Sequence, residues 1–91
     1  MDSDNEAEPE VTFAFFKGIS VNNKAYLCDF HKVVDKKGGL TYRIMLQSSG
    51  AADILVDIGM VDSGIWQILS SNTEVSAELQ WQLITAILKE A

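Results

Sequence analysis

The sequence is poor in the residues that build chemical sites. It contains one cysteine (Cys28), one histidine (His31) and one proline (Pro9). A single cysteine excludes an intrachain disulfide, and one Cys with one His cannot complete a structural zinc site without distant carboxylates. No run of about eighteen apolar residues is present, so no membrane-spanning helix is expected. The six glycines form no phosphate-binding pattern. We therefore expect no cofactor, no metal site and no membrane association.

The first ten residues differ in composition from the rest of the chain. They contain five acidic side chains, Pro9 and no aromatic or branched apolar residue. Such a segment cannot bury enough apolar surface to offset the entropy lost on ordering. We predict a disordered acidic leader over residues 1–10 and a single domain over residues 11–91. The leader lacks the basic and apolar pattern of a secretory signal, which favours a cytoplasmic location.

Between the leader and residue 70, apolar and polar residues alternate as is typical of β-strands. The alternation predicts strands over residues 11–19, 24–34, 40–47, 54–61 and 65–70. Asn22-Asn23 and Gly38-Gly39 have the conformational freedom that tight turns need. Because short connections favour antiparallel neighbours, we predict an α+β fold. It consists of an antiparallel meander of about five strands with one C-terminal helix packed on the sheet.

Two details of the strands carry further predictions. In the first strand, alternation predicts that Phe13 and Phe15 share one face and that Phe16 points to the other. Adjacent Phe15 and Phe16 then require apolar surroundings on both faces, or leave one ring at an edge. In the fourth strand, Gly59 is interpreted as the site of a bulge.

The C-terminal residues predict a helix over residues 73–90. Ser71 and Glu74 have the spacing of a capping box, although Asn72 or Thr73 could cap the helix instead. One apolar stripe of this helix contains Val75, Leu79, Leu83 and Ala86, and Ile87 lies beside it. A second stripe contains Ala77, Trp81, Ile84 and Leu88. The apolar arc is roughly 240° wide, against about 100° for an ordinary surface helix.

Excess apolar surface on this helix has two interpretations. A curved sheet could wrap the helix and cover both stripes, or one stripe docks on the sheet and the other on a second protein. We favour the second interpretation. It makes the chain a non-enzymatic protein-interaction module, a homodimer or a complex with another protein, whose interface contains Ala77, Trp81, Ile84 and Leu88.

Two alternatives belong to other functional classes. A small ligand-binding or hydrolase-like domain would use the strand face of Asp29 and His31, with Asp57 nearby. Cys28 points to the opposite face, so a Cys–His nucleophilic pair is geometrically poor. A weak nucleic-acid binder would use the basic hairpin of residues 24–43, in which lysines and Arg43 are interleaved with tyrosines. The sequence pI of about 4.5 and the acidic leader oppose nucleic-acid binding.

Overall fold

The computed structural model describes residues 10–36, 38–62 and 64–90. Its elements are β1 (Glu10–Val21), β2 (Lys24–Val34), β3 (Leu40–Gln47), β4 (Ile54–Asp62), β5 (Ile65–Ser71) and α1 (Ala77–Glu90). The strands form one antiparallel sheet in the order β1-β2-β3-β4-β5, and α1 packs on it. The predicted α+β fold is therefore confirmed. The predicted leader lies outside the described residues except for Glu10, which begins β1. Lys37, Ser63 and Ala91 of the predicted domain also lie outside them.

Turn residues fix the strand register as the sequence predicts. Asn22 and Asn23 have φ angles of 53° and 65°, the two positive values of a type I′ hairpin turn. In the next connection, the Gly39 backbone N–H donates to the Asp35 carboxylate at 2.7 Å. Gly38 there has a φ of 86°, which glycine adopts without steric cost. β2 and β3 consequently have the predicted bounds.

A bulge at Ala14 reverses the predicted faces of β1. Phe13 pairs with His31 but Phe15 pairs with Phe30, so Ala14 is an extra residue in β1. Phe15 stacks on Phe30 on the side of the helix, with ring centroids 4.3 Å apart. The prediction that Phe13 and Phe15 share a face is therefore wrong, because one inserted residue shifts the alternation.

Gly59 is not a bulge residue. It pairs in register with Thr41 and Gln67, and the extra residues near it are Val61 in β4 and Leu69 in β5. A Cβ atom at Gly59 would lie 2.7 Å from Cδ1 of Leu69. The glycine is therefore explained by the Leu69 side chain that lies across it, and the predicted bulge at this position is wrong.

The helix begins four residues later than predicted. The Ser76 hydroxyl accepts a hydrogen bond from the Leu79 N–H at 3.2 Å, which makes Ser76 the N-cap of α1. Ser71 instead ends β5, where it pairs with Val56. The predicted capping box of Ser71 and Glu74 is therefore wrong.

Asn72 explains why the helix cannot begin earlier. Its backbone N–H donates to the Leu55 carbonyl, and its side-chain Oδ1 accepts from the Leu55 N–H, both at 3.1 Å. Its side-chain amide also donates to the Asp53 carbonyl at 3.2 Å. These three bonds hold Asn72 beside β4, and the chain turns into α1 only after it.

The core lies between α1 and one face of the sheet. The helix contributes Leu79, Leu83, Ala86 and Ile87. The sheet contributes the side chains that alternate toward the helix, among them Ile19, Cys28, Phe30, Tyr42, Ile44, Leu46, Val56 and Ile58. Each fully buried Leu, Ile or Phe side chain contributes about 1.5–3 kcal/mol relative to exposure. This packing fixes which side of α1 faces the sheet and which side is left to solvent.

Candidate interaction surfaces

The outer stripe of α1, defined as Ala77, Trp81, Ile84 and Leu88, lies mostly on the solvent side of the helix. Trp81 is 63% exposed and Leu88 is 62% exposed. Ala77 is also exposed, whereas Ile84 is partly buried and packs against the core. The outer stripe is thus a surface of three residues with a fourth that is shared with the core.

The strands do not cover both sides of the helix. Leu83 is fully buried against the sheet, while Trp81, two residues earlier, lies about 160° around the helix axis. Polar side chains border the outer stripe, and Gln82 donates to the Glu78 carboxylate at 3.3 Å one turn away. An exposed indole beside a polar border is the arrangement of an anchor residue at a protein interface.

The sheet face opposite α1, here named the open face, carries no other described element. The strand register places two rows of side chains on it: Phe16, Asp29, Met45 and Leu55 form one row, and Phe13, His31, Arg43 and Asp57 form the next. Its exposed large apolar residues are Val11, Phe13, Phe16, Leu27, Leu55 and Leu69. This face is not predicted from the sequence, although the alternation of the strands places Leu27 and Met45 away from the buried positions.

Asp29 and His31 share one strand face as predicted, and this face is the open face, but the two side chains do not form a pair. The His31 ring meets the edge of Phe13, with centroids 5.5 Å apart. Within the described part of the chain, no hydrogen bond joins Asp29 to His31. The third group of the predicted site, Asp57, lies beyond Arg43 in the same row.

Asp57 is held by two other side chains. Arg43 Nε donates to its Oδ1 at 3.1 Å, and the Ser70 hydroxyl donates to Oδ2 at 3.4 Å. These two partners hold the Asp57 carboxylate in a fixed position, which suits a structural role. A cleft of about 450 Å³ beside it is lined by Arg43, Leu55, Asp57, Ser70, Ser71 and Asn72. This cleft includes neither Asp29 nor His31, so it does not bring the three predicted residues together.

The basic hairpin does not present its residues on one surface. Tyr42 is buried in the core and cannot stack on a base. Lys32 shares the helix-side face with Tyr42, whereas Arg43 lies on the open face and bonds to Asp57. The interleaved arrangement of basic and aromatic residues in the sequence therefore does not become a continuous binding strip.

Cys28 is enclosed in the core. Burial raises the pKa of its thiol to about 12, and the neighbouring Asp29 carboxylate acts in the same direction. The reactive thiolate is therefore scarce at neutral pH. Among the residues that the structure describes, no group of three or more His, Cys, Asp or Glu side chains is placed to hold a metal ion. Nor does this part of the chain contain a helix long and apolar enough to cross a membrane.

Comparison of the chain with protein-family models, with curated proteins and with solved structures gave no match. The surfaces themselves therefore carry the functional argument.

Proposed function

We propose that the protein is a non-enzymatic interaction module that associates with a second copy of itself through the outer stripe of α1. The observation that carries the proposal is the exposure of Trp81 on the side of α1 opposite the fully buried Leu83. An indole presents one of the largest apolar surfaces of any side chain, and leaving it in water forgoes the stabilisation of burial.

The spacing of the outer stripe suits pairing with an identical helix. Ala77, Trp81, Ile84 and Leu88 recur at intervals of four, three and four residues, which keeps them on one side over three turns. A two-fold axis through the middle of the stripe brings each Trp81 onto the Ile84–Leu88 half of the second helix. In such an isologous contact each residue occurs once in each copy. The two large exposed residues, Trp81 and Leu88, therefore provide four contact residues in the dimer.

Replacement of Trp81 tests this proposal. Because Trp81 is exposed, Trp81→Ala should change the free energy of unfolding of the monomer by no more than about 0.5 kcal/mol. It should raise the dissociation constant for self-association at least about 30-fold, the effect of a lost anchor worth about 2 kcal/mol. Sedimentation velocity across the micromolar range gives the dissociation constant, and urea unfolding of dilute protein gives the stability.

Lys89→Ala is the matched control, because Lys89 is exposed on the same helix but lies outside the outer stripe. It should leave the dissociation constant unchanged. If Trp81→Ala associates as strongly as the unmodified chain, the outer stripe is not the interface.

A further inference from the structure

We propose that the open face is a second self-association surface, which packs face to face on the open face of another copy. The proposal goes beyond the helix contact, because the two surfaces lie on opposite sides of the molecule. It rests on the size of the open face, on its apolar rows and on the placement of its charges.

The size of the open face matches that of a protein interface. The sheet has five strands, and β2 and β3 pair over eight residues. At about 4.8 Å between strands and about 3.3 Å per residue, the face measures about 24 by 26 Å, or roughly 600 Å² before side-chain relief is counted. The largest apolar patches on monomers reach about 300–600 Å², and a standard interface buries about 800 Å² on each partner. The open face therefore reaches the lower end of the range for stable interfaces, which is about 600 Å² on each partner.

The apolar side chains stand where sheet-on-sheet packing needs them. Phe16 and Leu55 lie at opposite ends of one row, with the partly buried Met45 between them. Phe16 is 56% exposed and Leu27, in the neighbouring row, is 52% exposed. Paired sheets interdigitate side chains of this kind across a layer about 10 Å thick. The opposite face of the same sheet packs its apolar side chains against α1.

The charges of the open face are complementary to those of a second copy. Arg43 uses Nε to hold Asp57, and its terminal N–H groups have no hydrogen-bond partner within the described ranges. Asp29 has no ion-pair or hydrogen-bond partner there either, and it lies one strand and one row away from Arg43. The positions of such diagonal neighbours are about 7–8 Å apart, and within the described ranges no hydrogen bond joins the Asp29 and Arg43 side chains of one copy.

A two-fold axis that lies between the two packed sheets would bring Asp29 of one copy to Arg43 of the other. If it bisects the line from Asp29 to Arg43, each Asp29 faces Arg43 of the second copy, and two symmetric ion pairs form. Enclosed charges at an interface require such partners, because an unpaired charge there loses its hydration without compensation. A second copy of this chain therefore complements the charges of the open face better than an uncharged partner would.

Variants of open-face residues, two of them exposed and Asp29 partly buried, test the inference without changing a core side chain. Phe16→Glu and Leu27→Glu place a charge in the apolar rows, and Asp29→Lys places like charges opposite each other. Each variant should raise the dissociation constant of the open-face dimer at least about tenfold. Met60→Glu is the matched control: Met60 is 48% exposed but lies on the helix side of the sheet, opposite Trp66. Far-ultraviolet circular dichroism verifies that every variant is folded.

Masses from sedimentation equilibrium separate this inference from the proposed function. With both contacts present, the unmodified chain should exceed a dimer of its 10.0 kDa mass at high micromolar concentration. Phe16→Glu and Trp81→Ala should then each leave a dimer, and the combined variant should be a monomer.

Each other outcome has a defined meaning. If Phe16→Glu, Leu27→Glu and Asp29→Lys leave the mass unchanged while Trp81→Ala lowers it, the open face is not an interface and the helix contact stands. If only the open-face variants lower the mass, the helix proposal fails and this inference stands. An unmodified chain that remains monomeric at every concentration overturns both.

Discussion

At the scale of single residues, Gly59 shows how a side chain on a neighbouring strand dictates a glycine. Its missing Cβ leaves the space that Cδ1 of Leu69 occupies, and Oγ1 of Thr41 would lie 3.3 Å from an added Cβ. We expect Gly59→Ala to cost about 1 kcal/mol of stability, because the end of the half-exposed Leu69 side chain must move to make room. Urea unfolding gives the value.

The cost of Gly59→Ala should depend on Leu69. In a Leu69→Ala background the nearest obstacle is gone, and the same substitution should cost about 1 kcal/mol less or even stabilise the strand. An equal cost in both backgrounds would show that Leu69 is not the reason for the glycine. This double-mutant cycle isolates one contact, since both residues lie outside the helix packing.

The residue pattern alone gave the wrong reason for Gly59. A glycine that interrupts an alternating strand typically indicates a bulge, and that inference uses only local information. The actual cause is Leu69, ten residues later in the chain, which is itself the extra residue of β5 and lies across Gly59 of β4. Sequence reasoning could place Gly59 in the correct strand but could not identify the atom that approaches it.

At the scale of elements, Ser76 and Ser71 compete as the helix cap. The Ser76 hydroxyl accepts from the Leu79 N–H, whereas the Ser71 hydroxyl accepts from the Thr73 N–H at 3.3 Å in an exposed turn. We expect Ser76→Ala to cost about 1 kcal/mol, because it leaves an N-terminal N–H of α1 without its acceptor. Ser71→Ala should cost less than about 0.5 kcal/mol, since water replaces an exposed turn bond.

Chemical denaturation of the two serine variants, together with their helical circular dichroism, decides between the two caps. A larger loss for Ser71→Ala than for Ser76→Ala would restore the capping box that the sequence predicts. The comparison is well matched, because both changes remove one exposed hydroxyl and neither touches the core.

Element boundaries were predictable where the deciding residues are local. Both ends of β2 and β3 follow from Asn22-Asn23 and the Asp35–Gly39 turn, whose own backbones dictate the reversal. The start of α1 was not predictable, because Asn72 binds β4 through Asp53 and Leu55, at separations of 19 and 17 residues. Contacts between residues so far apart leave no periodic pattern in the local sequence. Ser71 and Glu74 have the spacing of a capping box but do not form one.

At the scale of the whole molecule, the sequence pattern predicts the apolar surface of the helix but does not predict the open face. An apolar arc is easy to recognise in fourteen consecutive residues, but the open face is assembled from five strands. The bulge at Ala14 adds to the difficulty, because it places Phe13 and Phe16 on the same face against simple alternation. One helix about 10 Å wide can cover only part of one face of a sheet about 24 Å wide. The other face, the open face, is not covered by the helix.

The free energy of unfolding of the whole molecule should depend on pH through the ionisation of one buried thiol, that of Cys28. Cys28 has an ordinary pKa of 9.0 when exposed, and burial, with a smaller contribution from Asp29, raises the pKa to about 12 in the folded state. The neutral thiol thus favours the fold fully below about pH 9. That contribution is lost as the pH rises from about 9 toward 12, because the unfolded chain releases the proton first. The loss is at most about 1.4 kcal/mol per pH unit.

Comparison with Cys28→Ala isolates this effect from the other groups that titrate at alkaline pH. Lysines and tyrosines are common to both proteins, so their contributions cancel in the difference between the two unfolding free energies. Between pH 7 and pH 10 we expect the unmodified chain to lose about 1 kcal/mol relative to Cys28→Ala, measured by urea unfolding at one low protein concentration. A difference that stays constant with pH would mean that the thiol ionises equally in both states. Cys28 would then be accessible to water. The packing of α1 on the sheet would in that case be looser than the full burial of Phe30 and Leu83 indicates.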